Sequence, residues 1–434
     1  MKSQKDRVKL NVGGKFFETT ATTLAGAGRN SFFGAMFDEN WNLHSNAANT
    51  EHFIDRDPDY FAVLLNLLRT GELYIPPNID KKHLYREAEY YGILDHVRSA
   101  KWGPFDGNRL RLAGSITGPT IREPTAIRAS PNSCCCVVYG RIVKVYNWML
   151  EEQPTITCDY CWVNDVSWVD SENIVISSNV KLGSGGMGLF SASTGELRYK
   201  FQVTDERKGY TPGALSFSSD YKLFSSCKST SNKHVIGVWD QVTGKQMDFL
   251  PYSSNSNAIR LQWLHGTNCL MVASCCCINL LDFRKNAVVL SWSYDRDRVN
   301  KPYVVDPTKF RDVIAIEESN SICVVDLDER LGFMDLRSTT DASVEWRETP
   351  RGKKHSSLWA GNKLCSPKLA FHEGQLFSSR DDIISVYCGS NWLPISELRQ
   401  SQGGPIYDFS IGGDRLFALH VREDVFDVWE TPRP

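Results

Sequence analysis

Arg7-Val8-Lys9-Leu10-Asn11-Val12-Gly13-Gly14-Lys15-Phe16-Phe17-Glu18-Thr19-Thr20 sets the fold of the first hundred residues. Arg7 to Val12 alternates in strand fashion, Gly13-Gly14 supplies a tight hairpin turn, and Lys15 to Thr19 returns as a second strand. Downstream, Thr22 or Thr23 is placed to cap a short segment around Leu24, and Ser31 to cap a helix carrying Phe32, Phe33, Met36 and Phe37. After a polar loop, Phe53-Ile54-Asp55 reads as another strand. Asp57-Pro58 then opens a helix, with Phe61, Leu64, Leu65 and Leu68 at helical spacing and Gly71 as its stop. A second helix puts Leu84, Ala88 and Tyr91 on one face and ends at Gly92. Short strands and capped helices in this order predict a compact α+β unit over residues 6–100.

Leu10-Asn11-Val12-Gly13-Gly14, Thr19-Thr20 with Leu24, Ser31-Phe32 with Met36-Phe37, Phe53-Ile54-Asp55-Arg56-Asp57-Pro58, Leu68-Arg69-Thr70-Gly71-Glu72-Leu73 and Glu87-Ala88-Glu89-Tyr90-Tyr91-Gly92-Ile93 together resemble a BTB/POZ domain of the potassium-channel-tetramerisation type. The resemblance implies self-association into a ring of four or five copies and, as in many soluble members, binding of cullin-3. By analogy with that family, the cullin-facing surface comprises Met36, Phe37, Asp38 and Tyr90; the alternative for Met36 and Phe37 is that they fill the domain core. The charged cluster Asp55, Arg56, Asp57 falls where family members build their subunit interface. Here Asp57 reads as a helix cap and Arg56 as an intra- or intersubunit partner. Some channel relatives hold zinc between subunits, but no cysteine precedes Cys134, so no such site is expected.

Residues 101–108 (Lys101-Trp102-Gly103-Pro104-Phe105-Asp106-Gly107-Asn108) break the pattern and form a linker. From 109 to 434 the texture is short strands between Ser, Asn, Asp and Gly clusters, which reads as all-β. With Val238-Trp239-Asp240-Gln241-Val242-Thr243-Gly244 as template, related strand ends place the aromatic or apolar template residue at positions 146, 190, 239, 281, 334, 387 and 429. Their spacing, about 47 residues, is that of a degenerate WD-like β-propeller of about seven blades. Because Trp429 lies so near the end, ring closure requires an outer strand from the start of the repeat region. Asn108 to Ala113 is the candidate. A tetramerisation-type BTB domain followed by such a propeller resembles plant BTB/POZ proteins and some animal relatives.

Elsewhere the chain offers decoys. Gly183-Ser184-Gly185-Gly186-Met187-Gly188 matches GxGxxG, but a hairpin rather than a helix follows it, so a dinucleotide site is not expected. Cys158-Asp159-Tyr160-Cys161 lacks the second pair that structural zinc needs. The triplets Cys134–Cys136 and Cys275–Cys277 point alternately across a strand and suit buried, reduced thiols in a cytoplasmic or nuclear protein. The basic run from Arg347 to His355 reads as a solvated loop between blades. A net charge of -2 gives no general attraction to nucleic acid or acidic membranes, and the longest apolar stretch, Cys269 to Leu281, is interrupted and too short to span a bilayer. No nucleophile–base spacing, metal set or cofactor motif stands out, so no enzyme, metal or cofactor is expected.

The family resemblance implies a substrate-specific adaptor of a cullin-3 RING E3 ubiquitin ligase, with the BTB domain binding the cullin and the propeller binding the protein substrate. The alternative is an oligomeric scaffold outside ubiquitin chemistry, presenting propellers to signalling or transcriptional partners.

Overall fold

The computed structural model describes residues 7–36, 51–101, 104–118, 123–159, 161–179, 185–202, 210–229, 232–252, 257–285, 287–293, 310–326, 328–337, 344–347, 365–399, 404–420 and 424–432. It divides between Pro104 and Phe105 into two compact units, inside the linker segment.

In the first unit β1 (Arg7–Val12) and β2 (Lys15–Thr20) pair antiparallel, and β3 (Glu51–Ile54) joins the other side of β1 in parallel. Gly13 and Gly14 both take positive φ, and a Cβ on Gly13 would lie 2.5 Å from the Arg56 carbonyl oxygen. The turn therefore needs glycine for its backbone and for its approach to the segment that follows β3. α1 (Ala21–Ala25) is capped by Thr20, which accepts from the Thr23 amide, not by Thr22 or Thr23. The reason is conformational: Thr20 is the last extended residue, so its hydroxyl reaches forward over the first turn. Ser31 caps α2 (Phe32–Met36) as expected, accepting from the Gly34 amide at 2.9 Å.

α3 (Pro58–Thr70) starts at Asp57, whose side chain accepts from the Asp59 amide, and stops at Gly71 in the left-handed region. Its buried face is Phe61, Val63, Leu64, Leu65 and Leu67, while Leu68 is only half-buried. Each fully buried side chain of this kind stabilises the fold by about 1.5–3 kcal/mol. α4 (Lys81–Tyr90) is capped by Asp80. An additional helix, α5 (Leu94–Lys101), follows Gly92 and buries Val97 and Ala100.

In the second unit the described residues form seven four-stranded antiparallel sheets, the blades of a propeller. Their inner strands touch in ring order, with the seventh against the first. Every repeat position falls at or one residue before the end of a blade's third strand: Tyr146, Phe190, Trp239, Leu281, Met334, Tyr387 and Trp429. In five blades a β-bulge lies immediately before that residue, re-aiming its side chain. The acid after it does local work: Asp240, Asp282 and Asp335 each accept a backbone N–H two residues on and so close the turn to the fourth strand.

The closing strand is Arg111–Thr117 rather than Asn108–Ala113. It is the outermost strand of the seventh sheet, paired with Val425–Glu430. Asn108 is held in a turn by Asp106, and Gly107 donates to the Gln375 side chain of the sixth blade, so the extended run begins only after this anchor. Apolar clusters straddle neighbouring blades. At the closure, Ile127, Val137 and Tyr139 of the first blade bury against Phe417, Leu419 and Phe426 of the seventh.

Polar side chains of the inner strands reach across to the next blade. Asp408 of the seventh accepts from the Ile127 amide at 3.2 Å and from the Arg128 guanidinium at 2.6 Å. Arg128 reaches on to Asp165 of the second blade, which accepts the Leu215 amide of the third. Ser216 accepts from the Trp263 amide, Gln262 both accepts from and donates to Ala315, and Asp312 accepts from the Leu369 amide. Burial opposes the Arg128 charge, but Asp408 and Asp165 outweigh it and hold the guanidinium more firmly protonated than a free one.

Asp408→Ala should strand the Ile127 amide and half of the Arg128 fork. With Arg128 partly solvated, the expected cost is about 2–3 kcal/mol. Calorimetry of the full chain should show the propeller transition several degrees lower, while Glu397→Ala, which breaks an exposed pair with Arg399, should leave it in place. An unshifted transition in Asp408→Ala would remove this bridge from the account of ring closure.

Candidate functional site

In the first unit a polar–aromatic cluster ties the end of β3 to α4. Arg56 donates from Nε to Glu87 Oε2 at 3.0 Å and from Nη2 to Oε1 at 2.6 Å, a two-pronged ion pair in which Glu87 is 4% exposed. The Glu87 hydrogen bond, against a desolvation cost, raises the Arg56 pKa further. The same guanidinium lies 4.2 Å over the Tyr90 ring, and Phe32 of α2 packs beside that ring at 5.8 Å. Tyr90 is thus held in place while 46% exposed. Tyr91, next in sequence, points inward and stacks on Phe33 at 5.3 Å, and burial pushes its phenol well up.

Met36, at the end of α2, is buried in the protomer, the core-filling alternative open for it from sequence; Phe37 and Asp38 lie outside the described residues. Asp57 is the α3 cap, Asp55 is exposed, and Arg56 pairs within its own subunit. One apolar surface of the sheet carries no motif that marks it. Phe16 and Phe53 are 66% and 65% exposed and flank Asn11 in register, so they share the outward face of the sheet. Alternation along β2 carries the signal, since Phe17 turns inward onto Phe61 at 5.0 Å.

In the second unit a cavity of about 750 Å³ opens where the inner strands begin. Arg128, Asn164, Lys228, His234 and Lys368 are among its lining residues. Asn164 is steadied by donating to the Pro212 carbonyl and accepting from Asn179. Lys228 and His234 face one another in register across a hairpin, and burial together with the Lys228 charge lowers the His234 pKa.

A Ser–Asp–His set is also present, but it is structural. Asp427 sits in the middle, accepting from Ser115 Oγ at 2.6 Å and contacting His420 Nε2 at 2.9 Å, while His420 Nδ1 meets the Gly404 carbonyl. A nucleophilic serine needs the imidazole between itself and the carboxylate. Here the buried carboxylate instead ties the closing strand to the seventh blade.

The other sequence motifs have structural settings. Gly185 to Gly188 lie within a β-strand. The thirteen cysteines are free thiols; Cys134–Cys136 are buried as expected, but Cys275 and Cys276 form a bend between two strands and Cys276 is exposed, as is Cys161, whereas burial pushes Cys136 and Cys227 up to about 12 and suppresses thiolate chemistry there. No group of three or more His, Cys, Asp or Glu suited to a metal occurs among the described residues, and no helix among them is long and apolar enough to cross a membrane. Arg347 lies over Phe333, while residues 348–355 of the basic run fall outside the described residues.

Comparison with known proteins matches residues 8–100 to the BTB/POZ domain model and residues 118–431 to the At2g24240-like C-terminal beta propeller model. The chain belongs to the At2g24240-like BTB/POZ propeller family. It is 58% identical to BTB/POZ domain-containing protein At2g24240 of Arabidopsis thaliana, over 99% of this chain and 98% of that protein. To At4g30940 of the same plant it is 57% identical over the same shares. BTB/POZ domain-containing protein KCTD5 of Homo sapiens is 38% identical over 95 residues, 22% of this chain and 40% of its own. The family is of adaptor or scaffold type.

Removing the Arg56 fork should loosen α4 without touching the propeller. Arg56→Met leaves Glu87 buried and unpaired, an expected cost of about 3 kcal/mol. Hydrogen exchange of the full chain should then show amides of Lys81–Tyr90 exchanging about 100-fold faster, with propeller strands unchanged. Arg56→Lys, which keeps charge but not the fork, should fall between. Unaltered exchange in α4 would show the pair to be dispensable.

Proposed function

We propose that the chain is a substrate-specific adaptor of a cullin-3 RING E3 ubiquitin ligase. Its BTB domain self-associates and binds the cullin, and its propeller holds the protein to be ubiquitinated. On this reading the chain supplies proximity while the partner ligase supplies the chemistry, and it works in the cytoplasm, the nucleus or both.

Tyr90 is the observation that carries the proposal. A protein-binding hot spot favours a large aromatic whose position is fixed before binding, because less side-chain freedom is lost. Tyr90 meets that description: Arg56 and Phe32 hold it, half its surface is free, and it occupies a position that the BTB resemblance assigns to the cullin contact. Self-association is supported by Phe16 and Phe53, two large apolar side chains side by side on an uncovered sheet face.

Calorimetric titration of the full chain with the N-terminal domain of cullin-3 tests the first part. Tyr90→Ala should weaken binding by about 30-fold, the size of a hot-spot loss of 2 kcal/mol, and Phe37→Ala should weaken it too. A folded, oligomeric chain that releases no heat with the cullin would leave the non-ubiquitin scaffold as the function.

Sedimentation velocity tests the second part. The unaltered chain should run as four or five copies, and Phe16→Glu with Phe53→Glu should shift it to monomer without lowering either unfolding transition. Undiminished mass in the double variant would move the subunit interface elsewhere, with the Asp55–Arg56–Asp57 cluster next in line.

A further inference from the structure

The cavity at the start of the inner strands has a charge distribution that indicates what it takes. Its described lining contains two carboxylates, Asp165 and Asp408. Both are occupied. Asp165 accepts from Arg128, Val166 N and Leu215 N, and Asp408 from Arg128, Ile127 N and Phe409 N. Arg128 is likewise spent on those two acids.

Lys228 and Lys368 also line the cavity, and neither forms an ion pair with any described residue. The backbone beneath Lys368 is fixed on both sides: its amide donates to Ser379 Oγ and its carbonyl accepts from the Ser379 amide. Lys228 stands in register opposite His234, so it too rises from an ordered strand pair. Around them Asn164 and Asn257 add amide groups. The structural acids and arginine cancel to within one charge, and the two lysines leave the described lining with a net positive charge.

We infer that this cavity binds an anionic segment of a partner protein, bearing phosphate or clustered carboxylates, through Lys228 and Lys368. The inference rests on the substrate-holding role proposed for the propeller and names the chemistry of what is held.

The size, about 750 Å³, lies in the range of ligand sites. Its lining differs from that of most small-molecule pockets, which are chiefly apolar around a few polar groups. Two isolated lysines among amides suit a flexible chain with one charged stretch. A nucleic acid would need a continuous basic track to neutralise many phosphates, and the net charge of -2 supplies no field for one.

The test passes the full chain over three immobilised degenerate nonapeptide libraries, fixed at the centre as phosphoserine, as paired glutamates or as paired serines. Retention on the phosphoserine or glutamate library should exceed that on serine at least tenfold at 50 mM NaCl and shrink at 300 mM. A preference for phosphoserine alone identifies a phosphorylated segment; equal retention on both anionic libraries identifies a generally acidic one. Lys228→Glu with Lys368→Glu should abolish the preference with unfolding unchanged, while Lys285→Glu, on an exposed turn outside the cavity lining, should keep it. Equal retention on all three libraries, or a preference that survives in the double lysine variant, overturns the inference. Cullin titration of the same variant keeps the two proposals apart: it should be unaltered, and a chain that ignores cullin yet selects anionic peptides would retain this site on a scaffold.

Discussion

A propeller holds together only if each blade fixes the angle and height of the next, and here inner-strand polar side chains do so. Apolar clusters between blades supply most of the free energy, but apolar contact is non-directional and tolerates sliding. A carboxylate that accepts one chosen amide on the neighbouring blade does not. Asp408 on Ile127, Asp165 on Leu215 and Asp312 on Leu369 repeat that arrangement around the ring. Ser216 and Gln262 serve the same purpose where no acid stands. The outermost strand of the seventh blade adds the covalent half of the closure: Arg111–Thr117 comes from the start of the propeller and pairs with its end. Without that partner the edge of Val425–Glu430 would stand open to pairing with another chain.

The BTB unit reaches the same kind of rigidity by a different route. Its sheet has three strands and its helices are short, so little apolar area is available to orient the loop after β3. The Arg56–Glu87 fork supplies orientation instead. Because Glu87 is almost fully buried, the pair is conditional: complete, it fixes Tyr90 and the first turn of α3; broken, it leaves a buried charge that the small core cannot absorb. A surface aromatic gains its fixed pose from an ion pair beneath it.

Much of this was legible in the residues, and the failures have physical causes. The repeat survived degeneracy because one position per blade, at the end of the third strand, is buried or nearly so in every copy, from Tyr146 to Trp429. Periodicity reports burial, so it found them. The closing strand was displaced by three residues at its start because Asp106 and Gly107 bind the sixth blade, a contact 268 residues away that no local pattern encodes. Thr20 outcompeted Thr22 and Thr23 as cap through its backbone, not its chemistry. α5 was passed over because an eight-residue helix burying two side chains has too short a stripe to stand out. The lysines of the cavity were invisible for a deeper reason. Lys228 and Lys368 belong to the third and sixth blades, with two blades between them along the chain, and only ring closure brings them to one mouth.

That separation links the two modules. An exposed lysine–anion contact contributes about 0.2–1 kcal/mol, so two of them on a single propeller hold a charged segment weakly. Weak contacts become useful when copies are joined, since a second engagement then occurs at an effective concentration set by the linkage and overall binding rises about 10²- to 10⁴-fold. On the proposed reading, the outward Phe16–Phe53 face is what lets a small positive mouth work as a receptor. A partner with one anionic segment would exchange quickly, and a partner with several would stay long enough for chemistry carried out by another protein. Selectivity would then come from how many anionic segments a partner offers and how they are spaced. A rigid ring suits that task, because its positive mouth keeps one shape while the partner varies.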